Sequence, residues 1–293
     1  MVAVIKDLRT FSVAVNAMFK TALMGNSGNL MSEFTTNINI NGKKVEFPIT
    51  FGVGPMREWK GSRIVTSVAR SAYEITTKKY EKTVSIPVED VEDDNLDLYL
   101  PAIQTVSQAI ANYRSQQLHL AIEANIPTYD DVNMFSSAHP EAGANASNFA
   151  AGASPAWYLL DVSKPVKPFL WADRVAPVLR PKTSPDDDNV FWNDEFIWGA
   201  RARGGPGMGL WQLAYKSKTA LDAANFETAV TTMRARKDEY GETLDVTPNL
   251  LVIPPQLEWD AVRLFGKSTL AGGEENIHQG SIRYVVDNRL TGA

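Results

Sequence analysis

Between Pro101 and Pro127 the sequence carries one long helix pattern, and no other stretch constrains the fold as strongly. Ile103, Val106, Ile110, Tyr113 and Gln117 recur at helical spacing, with Leu118, Ala121 and Ile122 beside them. Pro101 stands where a proline is tolerated, because first-turn N–H groups have no partner within a helix. The pattern predicts a helix reaching to about Asn125, roughly 25 residues or ~37 Å long. Six acids precede it: Glu89, Asp90, Glu92, Asp93, Asp94 and Asp97. They lack the glycine and the bidentate glutamate spacing of a calcium loop. Carboxylates here instead suit helix initiation, accepting orphan N–H groups at the positive end of the helix dipole.

Upstream, the stretch from Gly54 to Pro101 reads as an extended β arm leading into this spine. Tyr73–Thr77 and Tyr80–Ile86 form a hairpin candidate with Lys78-Lys79 near the turn. In the second strand Tyr80, Lys82, Val84 and Ile86 share one face, and Glu81, Thr83 and Ser85 the other. So many polar residues suggest a ribbon that does not pack both faces on its own core, and an isolated two-stranded ribbon is marginal in water. Such a ribbon is expected to lie on something else, a neighbouring subunit being the natural support. An earlier hairpin is expected where Asn41-Gly42 separates Asn37–Ile40 from Lys43–Phe47, because Asn-Gly suits a turn with two positive φ angles. Pro48 limits how far the second strand pairs within a sheet. In the loop-like Gly54–Gly61 stretch, Trp59 sits among Arg57, Glu58, Lys60 and Arg63. A tryptophan under charged stems is either a half-buried anchor or an interface hot spot. Arg57, Glu58, Trp59 and Arg63 are the candidate interface residues.

Elsewhere, Leu8, Phe11, Val15, Met18, Phe19, Ala22 and Leu23 make one apolar stripe, read either as a core helix or as an arm docking on a neighbour. Glu141–Ser154, rich in small and polar residues, reads as a surface loop. Five of the seven tryptophans fall between Trp157 and Trp211, which marks that block as unusual. Strands are expected at Trp157–Leu160, into Phe169–Trp171, at Phe191–Gly199 and at Leu210–Tyr215, with a turn at Gly204-Gly205-Pro206-Gly207 and a solvated loop at Asp186–Asp188. From Lys218 onward a helix carrying Leu221, Phe226, Ala229, Val230 and Met233, a strand Leu250–Ile253, a helix opened by Pro254-Pro255 and a strand within Ser281–Val286 suggest a small α/β unit.

The chain has 293 residues, enough for two modest domains. With no cysteine, thiol catalysis, thiolate metal sites and disulfides are excluded. A formal net charge of -5 argues against a protein gripping nucleic acid through a broad basic surface. His119, His139 and His278 lie far apart in sequence, and His139, though near Ser136 and Ser137, has no nucleophile elbow or orienting third group in the sequence. No catalytic, cofactor or metal residues are assigned. The first seven residues do not resemble a signal peptide, and no apolar run approaches the ~20 residues of a membrane span.

Several passages, taken in order, resemble the Mu-like prophage major head subunits of the gpT type, which are major capsid proteins. These are Glu58-Trp59-Lys60-Gly61; Tyr80-Glu81 with Glu92-Asp93-Asp94-Asn95-Leu96; Trp157-Tyr158-Leu159-Leu160-Asp161 with Lys164-Pro165 and Lys167-Pro168-Phe169; Trp211-Gln212-Leu213-Ala214; and Pro248–Glu258. The resemblance implies an α+β, HK97-like capsid subunit with an N-terminal arm (1–36), an extended β-hairpin loop (37–88), a peripheral domain with the spine helix (89–215) and an axial domain (216–293). It departs from many such shells in that the Trp-rich block separates spine and axial unit. The resemblance also implies a non-enzymatic, self-associating protein. Its pentamers and hexamers would form an icosahedral bacteriophage head in the host cytoplasm, enclosing double-stranded DNA without sequence-specific binding. Scaffold, portal and decoration proteins are the implied partners, with no cofactor and no membrane. Two alternatives remain: an encapsulin-like shell with a protein cargo, and a soluble enzyme.

Overall fold

The computed structural model describes residues 2–25, 31–49, 71–93, 96–238, 241–269 and 273–290. In chain order these form helices α1 (Val2–Gly25) and α2 (Met31–Phe34), strands β1 (Thr35–Asn39), β2 (Lys44–Ile49), β3 (Ser71–Thr76) and β4 (Lys78–Pro87), then helices α3 (Val88–Glu92) and α4 (Leu100–Glu123). Strands β5 (His139–Glu141), β6 (Ala144–Ala146), β7 (Phe149–Ala150), β8 (Trp157–Leu160) and β9 (Phe169–Lys182) follow, then helix α5 (Asp188–Asn193) and strands β10 (Glu195–Met208) and β11 (Ala214–Ser217). The chain ends with helix α6 (Ala223–Arg234), strand β12 (Leu250–Ile253), helix α7 (Glu258–Ala261) and strand β13 (Arg283–Val286).

Two sheets organise the described residues: a four-stranded one in the order β1-β9-β10-β4, and a five-stranded one in the order β13-β12-β8-β11-β7. The spine helix α4 is 24 residues long with proline in its first turn, as its pattern predicts. It and α1 cover one face of the four-stranded sheet. Phe11 meets Trp198 edge-to-face at 5.6 Å between ring centroids, in a buried group with Leu8, Val15, Ile86 and Ile103. The apolar stripe of α1 therefore belongs to the subunit's own core. The acidic run becomes the separate short helix α3, with Glu89 and Asp90 in its first turn, and Tyr99 hydrogen-bonds to Asp90.

Neither expected hairpin forms. β1 pairs in parallel with β9, from Thr35 opposite Phe169 to Asn39 opposite Asp173. β2 pairs with β3, from Lys44 opposite Thr76 to Ile49 opposite Ser71. Asn41–Lys43 thus carries the chain out of the large sheet and does not reverse it. Ile40 gains a buried partner set, Ile75, Leu170 and Ala172, that a local hairpin lacks. Pro48 is accommodated because each strand of the two-stranded ribbon is an edge. At the second site β3 stays in the ribbon while β4 joins β10, with Lys78 and Lys79 already paired to Gly204 and Arg203. The chain divides at Thr77, whose N–H and hydroxyl both donate to the Lys43 carbonyl at 3.0 Å.

Three further expectations change. Phe191 and Trp192 lie on α5, and the strand begins only at Glu195. The predicted turn at Gly204–Gly207 is instead the end of β10, paired with Leu170–Asp173 of β9. The Glu141–Ser154 stretch contains β6 and β7. The five-stranded sheet also crosses the expected boundary at 216, since β8 lies between β12 and β11.

Candidate subunit interface

The sequence-derived candidates Arg57, Glu58, Trp59 and Arg63 lie outside the described residues. What is described is a two-stranded ribbon root, strands β2 and β3, which flank those residues in the sequence. The root is held against the large sheet by close approach. A Cβ built on Gly205 would fall 2.5 Å from the Thr76 carbonyl oxygen, and one on Gly207 would fall 2.6 Å from Ile75 Cδ1. The Gly-Gly-Pro-Gly run thus lets β3 lie directly on β10. Ile75 is buried there, and the Met208 N–H donates to the Tyr73 hydroxyl at 3.0 Å. Burial raises the Tyr73 pKa despite that bond, so the phenol stays neutral. β3 is therefore anchored to the large sheet through a desolvated contact.

The histidines serve structure. His139 is fully buried, its Nδ1 2.7 Å from Asp130 and its ring stacked on Trp211 at 4.1 Å. It has no path to a substrate, and the adjacent Ser136 hydroxyl accepts the Ala138 N–H. His119 on α4 meets Asp287, just beyond β13, at 2.5 Å, joining spine and C-terminal segment across 168 residues of sequence. His278 pairs with Glu227 at 3.0 Å. Among the described residues no group of three or more His, Asp or Glu side chains is placed to hold a metal ion. No described helix is long and apolar enough to cross a membrane.

Sequence reasoning missed a second clamp. Asn148 is fully buried and donates from Nδ2 to the carbonyls of Met134, Trp211 and Ala214, while its Oδ1 accepts the Ser136 N–H. It ties the loop before β8 to the sheet. Nothing local distinguishes this asparagine from its neighbours Asn145 and Asn133. Its role exists only where three distant carbonyls converge.

Two sheets knit from distant segments, with no group of three metal-ligating side chains among the described residues, suit a structural subunit. The sequence model of the Mu-like prophage major head subunit gpT matches residues 8–290. The chain belongs to the Mu-like major head subunit family. The major capsid protein of Escherichia phage Mu is 32% identical over 251 residues, covering 80% of this chain and 82% of that protein. The Mu-like prophage FluMu major head subunit of Haemophilus influenzae is 31% identical over 230 residues, covering 74% and 75%. Among solved structures, the procapsid of bacteriophage JBD30 matches with a TM-score of 0.80 at 30% identity, covering 96% of this chain and 99% of that one. The JBD30 capsid matches with a TM-score of 0.80 at 23% identity, covering 90% and 91%. This Mu-like head subunit is therefore a structural major capsid protein of a phage head with the α+β, HK97-like shell fold. It is a self-assembling virion component and not an enzyme.

Proposed function

We propose that copies of this subunit form pentamers and hexamers that close into an icosahedral head around double-stranded DNA, without reading its sequence. Assembly takes place in the host cytoplasm, with scaffold, portal and decoration proteins as partners. The observation that carries the reading is the single continuous family match from residue 8 to residue 290. The JBD30 capsid is decorated with minor capsid protein trimers, and a comparable exterior partner is proposed here. In our division of the chain, residues 1–36 are the arm, 37–88 the extended loop, 89–215 the peripheral domain and 216–293 the axial domain. The axial sheet additionally takes in β7, β8 and β11.

Arg57, Glu58, Trp59 and Arg63 are proposed to contact the neighbouring subunit. A large aromatic flanked in sequence by charged residues suits the centre of such a contact. Many modest contacts in a closed shell reinforce one another, so no single one has to be strong. Closed symmetry also keeps sticky edges from forming open fibres. Electron microscopy of the purified protein, alone and with its head-assembly partners, tests the reading. Closed particles that retain DNA when packaging proteins are present are expected; a uniform monomer under both conditions overturns it. Trp59→Ala is expected to lower particle yield while leaving the thermal melt of the unassembled subunit unchanged. Equal losses in both would place Trp59 in the subunit core.

A further inference from the structure

Among the described residues nothing covers the face of the four-stranded sheet opposite α1 and α4 from Arg203 toward the β9–β10 tip, where Arg201, Val178, Arg180 and Lys182 are exposed. The pairing registers put Lys79 beside Arg203, Arg180 beside Gly199 and Lys182 beside Ile197, with Arg201 between these rows. Arg174 joins them at the irregularity of β9 opposite Arg203. None of these six cations has a carboxylate partner among the described residues. The acid in their midst, Glu81 opposite Arg201, accepts instead from the Thr83 hydroxyl at 3.0 Å. Partial burial and the guanidiniums of Arg174 and Arg201 push the Arg203 pKa below its ordinary value, and its Nε is buried without a hydrogen-bond partner. Like charges gathered this closely on a chain of net charge -5 repel one another until an anionic partner arrives. Val178, 48% exposed in the same row as Arg201, makes the face partly apolar as well.

The complement to this face is on the same molecule. The tip joining β9 to β10 carries Asp186, Asp188 and Asp194, all exposed, around α5. From α5 project Phe191 and Trp192, 73% and 76% exposed, packed edge-to-face at 4.9 Å. Two large aromatics held together in water amid acids form an apolar anchor with a negative rim. Among the described residues the tip carboxylates form no ion pair with the cations of their own sheet face.

We propose that the acidic, aromatic tip of one subunit docks on the cationic sheet face of a second copy of this chain. The proposal rests on the shell-assembly reading above and assigns one of its contacts. The contact is head-to-tail, so it propagates around a ring or a symmetry axis instead of ending at a dimer. Charge complementarity selects the register, and Phe191 and Trp192 supply the buried apolar area. Double-stranded DNA is a weaker occupant of this face, because it offers nothing for Val178 and leaves the exposed tip unexplained.

A charge-swap series in the full-length chain tests this. Arg201→Glu with Arg203→Glu reverses the face, and Asp186→Lys with Asp188→Lys reverses the tip. Each pair is expected to lower the yield of closed particles about ten-fold or more, since like charges across an interface are strongly unfavourable. Subunit circular dichroism is expected to stay unchanged. Combining all four changes is expected to restore particles. The charge-neutral pair Arg201→Gln with Arg203→Gln and the single change Trp192→Ala are expected to weaken assembly without abolishing folding. Wild-type yield from both reversed variants overturns the proposal, as does failure of the combined variant to recover particles. So does a face-reversed shell that forms normally but no longer retains DNA. If wild-type protein forms no particles at all, the shell reading itself fails, which is distinct from failure of this contact.

Discussion

At the residue scale, the glycines of β10 show how one composition supports two structures. Gly204-Gly205-Pro206-Gly207 has the residues of a turn, yet it lies in a strand beneath the ribbon root. The reason is steric: at Gly205 the backbone of Thr76 occupies the space where a side chain would stand. Gly205→Ala is expected to destabilise the subunit by about 1–3 kcal/mol, the usual range for overpacking. Gly199→Ala is the control. There a Cβ meets the Thr83 hydroxyl at an ordinary 3.4 Å, and the substitution is expected to be neutral or to stabilise by about 0.4–1 kcal/mol. Urea unfolding of the two variants separates these outcomes. Asn148 makes the same point from the opposite side, since an ordinary loop residue becomes a buried clamp through partners far away in sequence.

At the element scale, α4 was legible to within a residue or two because helix signals are local: apolar spacing, an early proline and a following Pro127. β8 and β12 were legible because short continuous apolar runs have few alternatives to burial. Pairing was not legible. Asn41-Gly42 is a good hairpin turn, but β1 buries more by lying beside β9, and β3 buries Ile75 by leaving β4. Ile75 is therefore the residue on which the ribbon root depends. Ile75→Ala is expected to cost about 2–5 kcal/mol. In hydrogen exchange, the β2 and β3 amides are expected to lose protection before those of α4. Loss of protection across all elements together would mean that the ribbon root is part of the global folding unit.

At the scale of the whole molecule, the two sheets are assembled from segments far apart in sequence, and the His119–Asp287 pair links the spine to the C-terminal segment. Burial alone would raise the Asp287 pKa. Hydrogen bonds from His119 and the Arg289 N–H, with the positive charge nearby, instead bring it below the ordinary 3.8. A carboxylate depressed in the folded state contributes stability that is fully present above its unfolded value and is lost as pH falls through its folded value. Wild-type stability is therefore expected to decline as pH drops below about 4, the usual aspartate range. Asp287→Asn is expected to lose about 1–3 kcal/mol at neutral pH and to show a shallower acid decline. Urea midpoints measured between neutral and strongly acid pH decide this, and parallel curves for both proteins would remove Asp287 from the account.

The sequence by itself determined the long helices α1 and α4 and the helix α6, the most apolar strands, the absence of thiol chemistry and, through the order of its motifs, membership in a capsid family. These are either local properties or inherited patterns. Only the tertiary structure decided which strands pair, why the Gly-Gly-Pro-Gly run lies in a strand, and that six cations without a carboxylate partner among the described residues share one face of a net acidic chain. Alternating strands present similar edges to many partners, and the choice among them rests on burial contributed by residues a hundred positions or more away, such as Leu170 and Ala172 against Ile40. The charge of a face depends in the same way on register, which no single segment encodes.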